Sequence, residues 1–203
     1  FGPRSSQSRK YQPLRLATRA QATETVEALE DLLFQLEVKK LTMEDNDQKD
    51  STRVSENDPL TGVRGRRVFE RFMAHELGRS QRFGHTFTLA LFTITEWSSV
   101  LAKGIALADQ IVVTFTCACK ASLRGYDQIC RIEDSEFAVM LPQSDRWDAD
   151  AVCRRITERF DRALRQQSMA VQANVEVGLA TFPFDGESHT ALLDIARARR
   201  SFL

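Results

Sequence analysis

The sequence lacks any excess of charge and any long apolar run. Its 203 residues carry 28 Lys and Arg against 28 Asp and Glu, so the formal net charge is +0. A neutral chain has no general attraction to nucleic acid or to an anionic membrane surface. No run of about 18 apolar residues occurs, and no secretory signal is evident. We therefore expect a cytoplasmic protein with no DNA partner and no membrane segment in this sequence.

Cysteine and histidine are also scarce. The sequence has four cysteines and three histidines, and their spacing is not that of metal ligands. Two of the cysteines, Cys117 and Cys119, would point in different directions on a helix. Free, buried thiols in a reducing compartment are the simpler interpretation of Cys117, Cys119, Cys130 and Cys153. The sequence therefore predicts no metal site and no cofactor.

The composition, 42% hydrophobic and 28% charged, fits one globular domain with an extension. Residues 1–13 are polar and are expected to be a flexible lead-in or a remnant of an added sequence. Residues 14–50 contain a candidate signalling helix and an acidic linker. The globular domain is expected over residues 57–203.

The candidate helix has a heptad pattern of about three repeats. Its seam positions recur at alternating spacings of four and three: Ala22, Val26, Leu29, Leu33, Leu36, Lys40 and Met43. The pattern predicts a coiled coil. An amphipathic helix packed on its own domain is the alternative interpretation.

The globular part alternates helical and strand patterns. Helices are expected at residues 66–82, 109–123, 149–166 and 189–200, with strands at residues 87–94 and 173–181. Two further apolar runs, Ile129–Ile132 and Phe137–Leu141, flank a polar turn and predict a hairpin. This order predicts an α+β fold, with a mixed central sheet flanked by helices and preceded by the long coiled-coil helix.

Just before the hairpin, Arg124-Gly-Tyr-Asp127 places an arginine and an aspartate three residues apart. At the end of a helix this spacing lets both side chains lie on one face. A guanidinium can donate two parallel hydrogen bonds to guanine O6 and N7, and a carboxylate can accept from guanine N1–H and N2–H. The motif is therefore a candidate guanine-nucleotide site. The alternative is an ordinary surface ion pair, worth about 0–1 kcal/mol.

Together with Asn57-Asp-Pro-Leu-Thr-Gly62 and Arg66-Arg67, these motifs resemble the GGDEF family, the bacterial diguanylate cyclases. The resemblance implies a nucleotide-cyclase-like fold. It also implies that Arg124 and Asp127 form the inhibitory product site, which binds cyclic di-GMP. Arg155 matches a family arginine that completes this site, and Arg79, or Arg82 in its place, matches one that reaches across a dimer.

The family's signature motif here reads Glu133-Asp134-Ser135-Glu136-Phe137. The resemblance implies that Thr93 and Ser135 occupy the two positions of the metal-binding carboxylates, and neither can carry the charge that magnesium requires. Glu133 and Asp134 replace two glycines, fill the space that allows close approach of a ligand, and add negative charge. We interpret Glu136 and Phe137 as structural, with Phe137 in the core. We therefore expect no cyclase activity.

The leading hypothesis is a catalytically inactive GGDEF domain that acts as a cyclic di-GMP receptor in bacterial second-messenger signalling. Its expected partners are the ligand, a second copy of the chain, and an upstream sensor domain or another protein. One alternative is a dimeric protein-interaction module that binds no nucleotide. A residual diguanylate cyclase is the other.

Overall fold

The structure is a computed structural model that describes residues 56–166 and 173–203. Its helices are α1 Arg66–Phe83, α2 Trp97–Ala102, α3 Ile105–Lys120, α4 Arg146–Gln166 and α5 His189–Ala198. Its strands are β1 Arg64–Gly65, β2 Phe87–Ile94, β3 Gln128–Arg131, β4 Glu136–Pro142, β5 Val175–Phe182 and β6 Ser201–Phe202. In the described residues the strands form one sheet in the order β1-β3-β4-β2-β5-β6. The predicted mixed sheet with flanking helices is confirmed.

Strand β2 lies near the centre of the sheet and pairs antiparallel with both β4 and β5. Its apolar run is buried at nearly every position, as expected for a strand covered on both faces. The hairpin of β3 and β4 is antiparallel, and the short β1 pairs parallel to β3. In this register Thr93 lies opposite Glu136, so two of the predicted site residues are neighbours across the sheet.

The face of the sheet covered by α3 and α4 carries an aromatic core. The ring of Phe115 on α3 lies 5.4 Å from that of Phe92, 4.8 Å from that of Phe137 and 5.4 Å from that of Phe160. All four side chains are fully buried. Centroid separations of this size are favourable for tilted and edge-to-face aromatic pairs. The expectation that Phe137 is a core residue is confirmed.

Helices α1 and α5 pack on the opposite face of the sheet. Gly178 of β5 allows the C-terminal part of α5 to approach closely, because a Cβ at this position would lie 1.8 Å from the carbonyl oxygen of Ala196. The close contact brings the arginines at the end of α5 near the strand ends at which the β3–β4 hairpin turns.

Several element boundaries differ from the sequence prediction. Helix α3 begins at Ile105 and ends at Lys120, rather than spanning residues 109–123, so Arg124 lies in a loop beyond the helix. Helix α4 begins at Arg146 rather than at residue 149. The side chain of Asp145 explains this earlier start, since its Oδ1 accepts hydrogen bonds from the backbone N–H groups of Trp147 and Asp148.

Short elements were not predicted. Helix α2 and the two-residue strands β1 and β6 give no periodic pattern over so few residues. The candidate coiled coil at residues 22–43 lies outside the described residues. Among the described residues, no helix combines the length and the apolar character needed to cross a bilayer.

Candidate nucleotide-binding site

Arg124 and Asp127 close a tight turn between α3 and β3. The backbone N–H of Arg124 donates to Oδ2 of Asp127 at 2.7 Å, and the backbone N–H of Asp127 donates to the carbonyl oxygen of Arg124 at 3.1 Å. The prediction that the pair lies at the end of a helix is therefore wrong. The turn itself, rather than helical spacing, brings the two residues together.

Arg155 reaches the same loop from α4. Its Nη2 donates to the carbonyl oxygen of Ser122 at 2.7 Å. Burial raises the pKa of Asp127, whereas the Arg124 N–H bond and the charges of Arg124 and Arg155 act against that rise. Both arginines are therefore close enough to act on the same carboxylate. The fold therefore brings together Arg124 and Asp127 of the loop and Arg155 of α4, which the sequence predicts to share one site.

Tyr126 also belongs to this group, although it is not among the site residues that the sequence predicts. Nη1 of Arg124 donates to the Tyr126 hydroxyl at 2.8 Å, and Cζ of Arg124 lies 5.9 Å from the centre of the Tyr126 ring. The available signal was its position inside the motif, where an aromatic side chain is next to the proposed carboxylate. Arg124 is exposed, while Tyr126 and Asp127 are half-buried.

Arg79 lies elsewhere in the chain. It is on α1, which packs on the opposite face of the sheet from α4. Its Nε and Nη2 donate to the Glu76 carboxylate at 3.1 and 2.9 Å, and both side chains are buried, with exposures of 8% and 1%. Arg82 is exposed, with its Cζ 5.2 Å from the centre of the Phe83 ring. Within one chain neither arginine joins the group around Asp127.

A network of one carboxylate and two guanidinium groups lies at the ends of β2 and β4, where the sequence resemblance predicts an active site. Oε2 of Glu136 accepts from Nη2 of Arg197 at 2.8 Å, and Nη1 of Arg200 lies 3.5 Å from Oε1. The same Nη1 donates to the hydroxyl of Thr93 at 3.0 Å. Glu136 is only 6% exposed. Its charge is therefore balanced by side chains of the protein itself.

The hairpin turn is held by contacts with β2, β3 and α1. The carbonyl oxygen of Ser135 accepts from the backbone N–H of Ile94 at 2.9 Å, and that of Asp134 accepts from Arg131 at 2.7 Å. The Glu133 carboxylate forms an ion pair with Arg66. Glu133 and Asp134 do not have the positive φ that favours glycine. Both residues therefore adopt this turn without the backbone strain that a positive φ would impose.

Asp58 connects this region to the turn before α1. Its Oδ1 accepts from the backbone N–H and the hydroxyl of Thr61 at 2.8 and 2.6 Å, and its Oδ2 pairs with Arg131 at 3.1 Å. Burial alone would raise the pKa of Asp58, but the Thr61 hydrogen bonds and the Arg131 charge together lower it. The Asp58 side chain therefore caps the turn that precedes α1.

No three His, Cys, Asp or Glu side chains of the described residues converge in an arrangement that could hold a metal ion. The four thiols are free, and Cys119, Cys130 and Cys153 are buried. Burial raises the pKa of all three, that of Cys130 to about 12. Cys117 is exposed, so the prediction that all four cysteines are buried is wrong for this residue.

Comparison with known proteins agrees with this arrangement of motifs on the fold. A family model described as the GGDEF domain of diguanylate cyclases matches residues 55–200. The chain belongs to the GGDEF family. It is 27% identical over 128 residues to a probable diguanylate cyclase, DgcC, of Escherichia coli K12. That match covers 63% of this chain and 34% of DgcC, so the chain spans about a third of the length of this relative.

Solved structures of GGDEF domains share the fold. The FimX GGDEF domain from Pseudomonas aeruginosa matches with a TM-score of 0.64 and 19% identity, over 72% of this chain and 91% of that one. The DgcB GGDEF domain from Caulobacter crescentus, in complex with c-di-GMP, matches with a TM-score of 0.61 and 17% identity, over 73% and 90% of the two chains. These likenesses establish the fold that positions the hairpin and the Arg124–Asp127 turn.

Proposed function

We propose that this GGDEF domain is catalytically inactive and serves as a receptor for cyclic di-GMP, which binds at Arg124, Asp127 and Arg155. The observation that carries the proposal is the grouping of these three side chains around one turn. Two arginines and one aspartate give the group a net positive charge, which suits a ligand with two phosphodiester groups. Membership of the GGDEF family and the complex of DgcB with c-di-GMP support the choice of ligand.

The residue types fit the two parts of this ligand. The Arg124 guanidinium provides parallel donors for guanine O6 and N7, and a carboxylate at Asp127 accepts from guanine N1–H and N2–H. Oδ2 of Asp127 already accepts the Arg124 N–H, which holds the carboxylate in one orientation. Arg155 is exposed on α4 and supplies a second positive charge for a phosphate.

The residues at the former active site do not fit a metal ion that holds a triphosphate. Magnesium prefers carboxylate ligands, whereas Thr93 and Ser135 offer hydroxyl groups. The nearby carboxylate of Glu136 is bound by Arg197 and lies next to Arg200. A metal ion at Glu136 would have to displace these guanidinium groups. The arrangement therefore supports inactivity, and no catalytic step is assigned to this domain.

A receptor function requires that the ligand favour one arrangement of the protein over another. We propose a homodimer in which the ligand at Arg124, Asp127 and Arg155 of one copy also contacts Arg79 of a second copy. Arg79 lies on the opposite face of the sheet, so a bridge between copies is the arrangement in which it can contribute. Its ion pair with Glu76 would then have to open.

Calorimetric titration of the whole chain with cyclic di-GMP tests the proposal. We expect binding by the wild type, with affinity losses of about tenfold or more for Arg124→Ala and Arg155→Ala, or about 1.4 kcal/mol each. Arg154→Ala is the matched control, since Arg154 is exposed on the same helix and pairs with Asp150. It should bind as the wild type does. Absence of wild-type binding at ligand concentrations well above micromolar would contradict the receptor function.

Inactivity is tested separately by incubation with GTP and magnesium, followed by chromatographic separation of the nucleotides. We expect no cyclic di-GMP beyond the background of a sample without protein. Steady product formation proportional to protein concentration would show a residual cyclase instead.

A further inference from the structure

The aromatic side chain inside the Arg124–Asp127 turn has a defined relationship to the proposed ligand. Tyr126 accepts a hydrogen bond from Nη1 of Arg124, and the guanidinium carbon lies 5.9 Å from the centre of its ring. Arg124 is exposed and Tyr126 is half-buried, so the more buried side chain contacts the more exposed one. The two contacts act on the guanidinium that is proposed to bind guanine.

Holding this guanidinium in place matters for affinity. An exposed arginine has many rotamers and loses side-chain entropy when its position is fixed. A tyrosine has two side-chain torsions, and fixing a group before the ligand arrives lowers the cost of binding. Tyr126 therefore removes part of the freedom that Arg124 would otherwise lose on contact with the ligand.

The hydrogen bond to Tyr126 does not compete with recognition of a base. A guanidinium has five N–H groups, and this bond uses one of them, on Nη1. The edge formed by Nε and Nη2 still offers two parallel donors, which is the geometry that guanine O6 and N7 require. The phenol accepts in this bond and keeps its own proton for an acceptor on the ligand.

We propose that Tyr126 is a positioning residue that presents the Arg124 guanidinium to the O6–N7 edge of guanine and thereby adds to the selectivity for guanine over adenine that Asp127 provides. Adenine has an amino donor where guanine has O6, and a guanidinium has no acceptor for it. A fixed Arg124 therefore disfavours adenine, whereas a mobile Arg124 can turn away to a phosphate and tolerate it. This inference rests on the proposed binding of cyclic di-GMP at the turn.

The test compares the wild type, Tyr126→Phe and Tyr126→Ala in calorimetric titrations with cyclic di-GMP and with its adenine analogue, cyclic di-AMP. Tyr126→Phe keeps the ring and removes only the hydroxyl. We expect it to weaken cyclic di-GMP binding by about fivefold, the usual effect of one lost hydrogen bond, with little change for cyclic di-AMP. Tyr126→Ala should reduce the ratio of the two affinities further.

A merely structural role for Tyr126 would leave a different signature. Loss of packing would lower the unfolding temperature of the ligand-free protein and weaken the binding of both ligands equally, so the ratio of the two affinities would not change. That result would overturn the proposal. Wild-type affinities of Tyr126→Phe for both ligands would also overturn it. Tyr126→Phe carries the test even if Tyr126→Ala does not fold.

Failure of this inference can be separated from failure of the proposed function. If the wild type binds no cyclic di-GMP, both are overturned. If the wild type binds and Arg124→Ala abolishes binding, while Tyr126→Phe binds as the wild type does, only the role of Tyr126 is overturned.

Discussion

Glu136 accepts a 2.8 Å hydrogen bond from Arg197, a residue 61 positions later in the chain. The pair connects the start of β4 to the end of α5, and Arg200 extends it to Thr93 on β2. These contacts lie at the hairpin turn, at the strand ends where the sequence resemblance places the signature motif of GGDEF domains. Glu136 therefore links three elements, β4, the end of α5 and, through Arg200, β2.

We expect Glu136→Gln to lower the free energy of unfolding by about 1–3 kcal/mol, because it removes the charge that balances Arg197 and Arg200. Urea denaturation measures this loss. The matched control is Glu70→Gln, since Glu70 is exposed on α1 and pairs with Arg66 at 3.5 Å. Its cost should stay below about 0.5 kcal/mol. Equal effects of the two substitutions would contradict a structural role for Glu136.

A second prediction concerns pH and the proposed ligand carboxylate. Burial raises the pKa of Asp127 in the folded protein above its pKa in the unfolded chain. The protonated carboxyl therefore stabilises the fold fully at pH values below the unfolded pKa, and this stabilisation is lost as the pH rises through the folded pKa. Ionised Asp127 therefore costs stability at neutral pH. We expect Asp127→Asn to unfold at the same or a higher temperature than the wild type at pH 7, with the advantage shrinking below about pH 4. Thermal unfolding at both pH values measures it.

Asp185 provides a control of opposite sign. Its carboxylate accepts from the backbone N–H of Thr181 at 2.8 Å and pairs with Arg199 at 2.7 Å. Burial opposes ionisation, but these partners together lower its pKa, so its stabilisation exists above the unfolded pKa and is lost as pH falls through the folded value. Asp185→Asn should therefore lower the unfolding temperature at pH 7. A lower unfolding temperature for Asp127→Asn as well would contradict the assignment for Asp127.

The sequence predicted the hairpin and β2 well because their residues are buried apolar runs bounded by polar turns. It predicted α3 less well, because the pattern did not define its ends: the helix was expected over residues 109–123, whereas it spans Ile105–Lys120. The position of Arg124 in a loop follows from that difference. Burial of both Arg79 and Glu76 also depends on tertiary packing, so the spacing of the two residues did not reveal it.

The contact of Arg197 and Arg200 with Glu136 was harder to predict for another reason. These residues are far apart in the sequence, and their approach depends on how closely α5 packs on β5 at Gly178. A charged helix end gives no local signal of the partner that it will meet. The sequence therefore predicted that Thr93 and Ser135 stand in place of metal-binding acids, but it did not show which groups balance the Glu136 carboxylate.

The thiols provide a third prediction. Cys117 is exposed on α3, while Cys119, Cys130 and Cys153 are buried with raised pKa values. Because the thiolate is the reactive form, a thiol reagent such as DTNB should modify one cysteine rapidly in the native protein and four after denaturation. Cys117→Ser should remove the rapid phase. Rapid modification of more than one native thiol would contradict the described burial.

The last prediction compares a closely packed glycine in a strand with an unobstructed glycine in a helix. A Cβ on Gly178 would lie 1.8 Å from the carbonyl oxygen of Ala196, whereas one on Gly78 would meet nothing within 4 Å. Gly78 lies inside α1, where Gly→Ala typically stabilises by about 0.4–1 kcal/mol by restricting the unfolded chain. Gly178→Ala must instead push α5 away from β5, which we expect to cost several times that amount and to separate Arg197 and Arg200 from Glu136. If α5 packs as described, urea denaturation will show changes of opposite sign in the free energy of unfolding of the two variants. An unchanged free energy of unfolding for Gly178→Ala would show that the end of α5 is not held against the sheet.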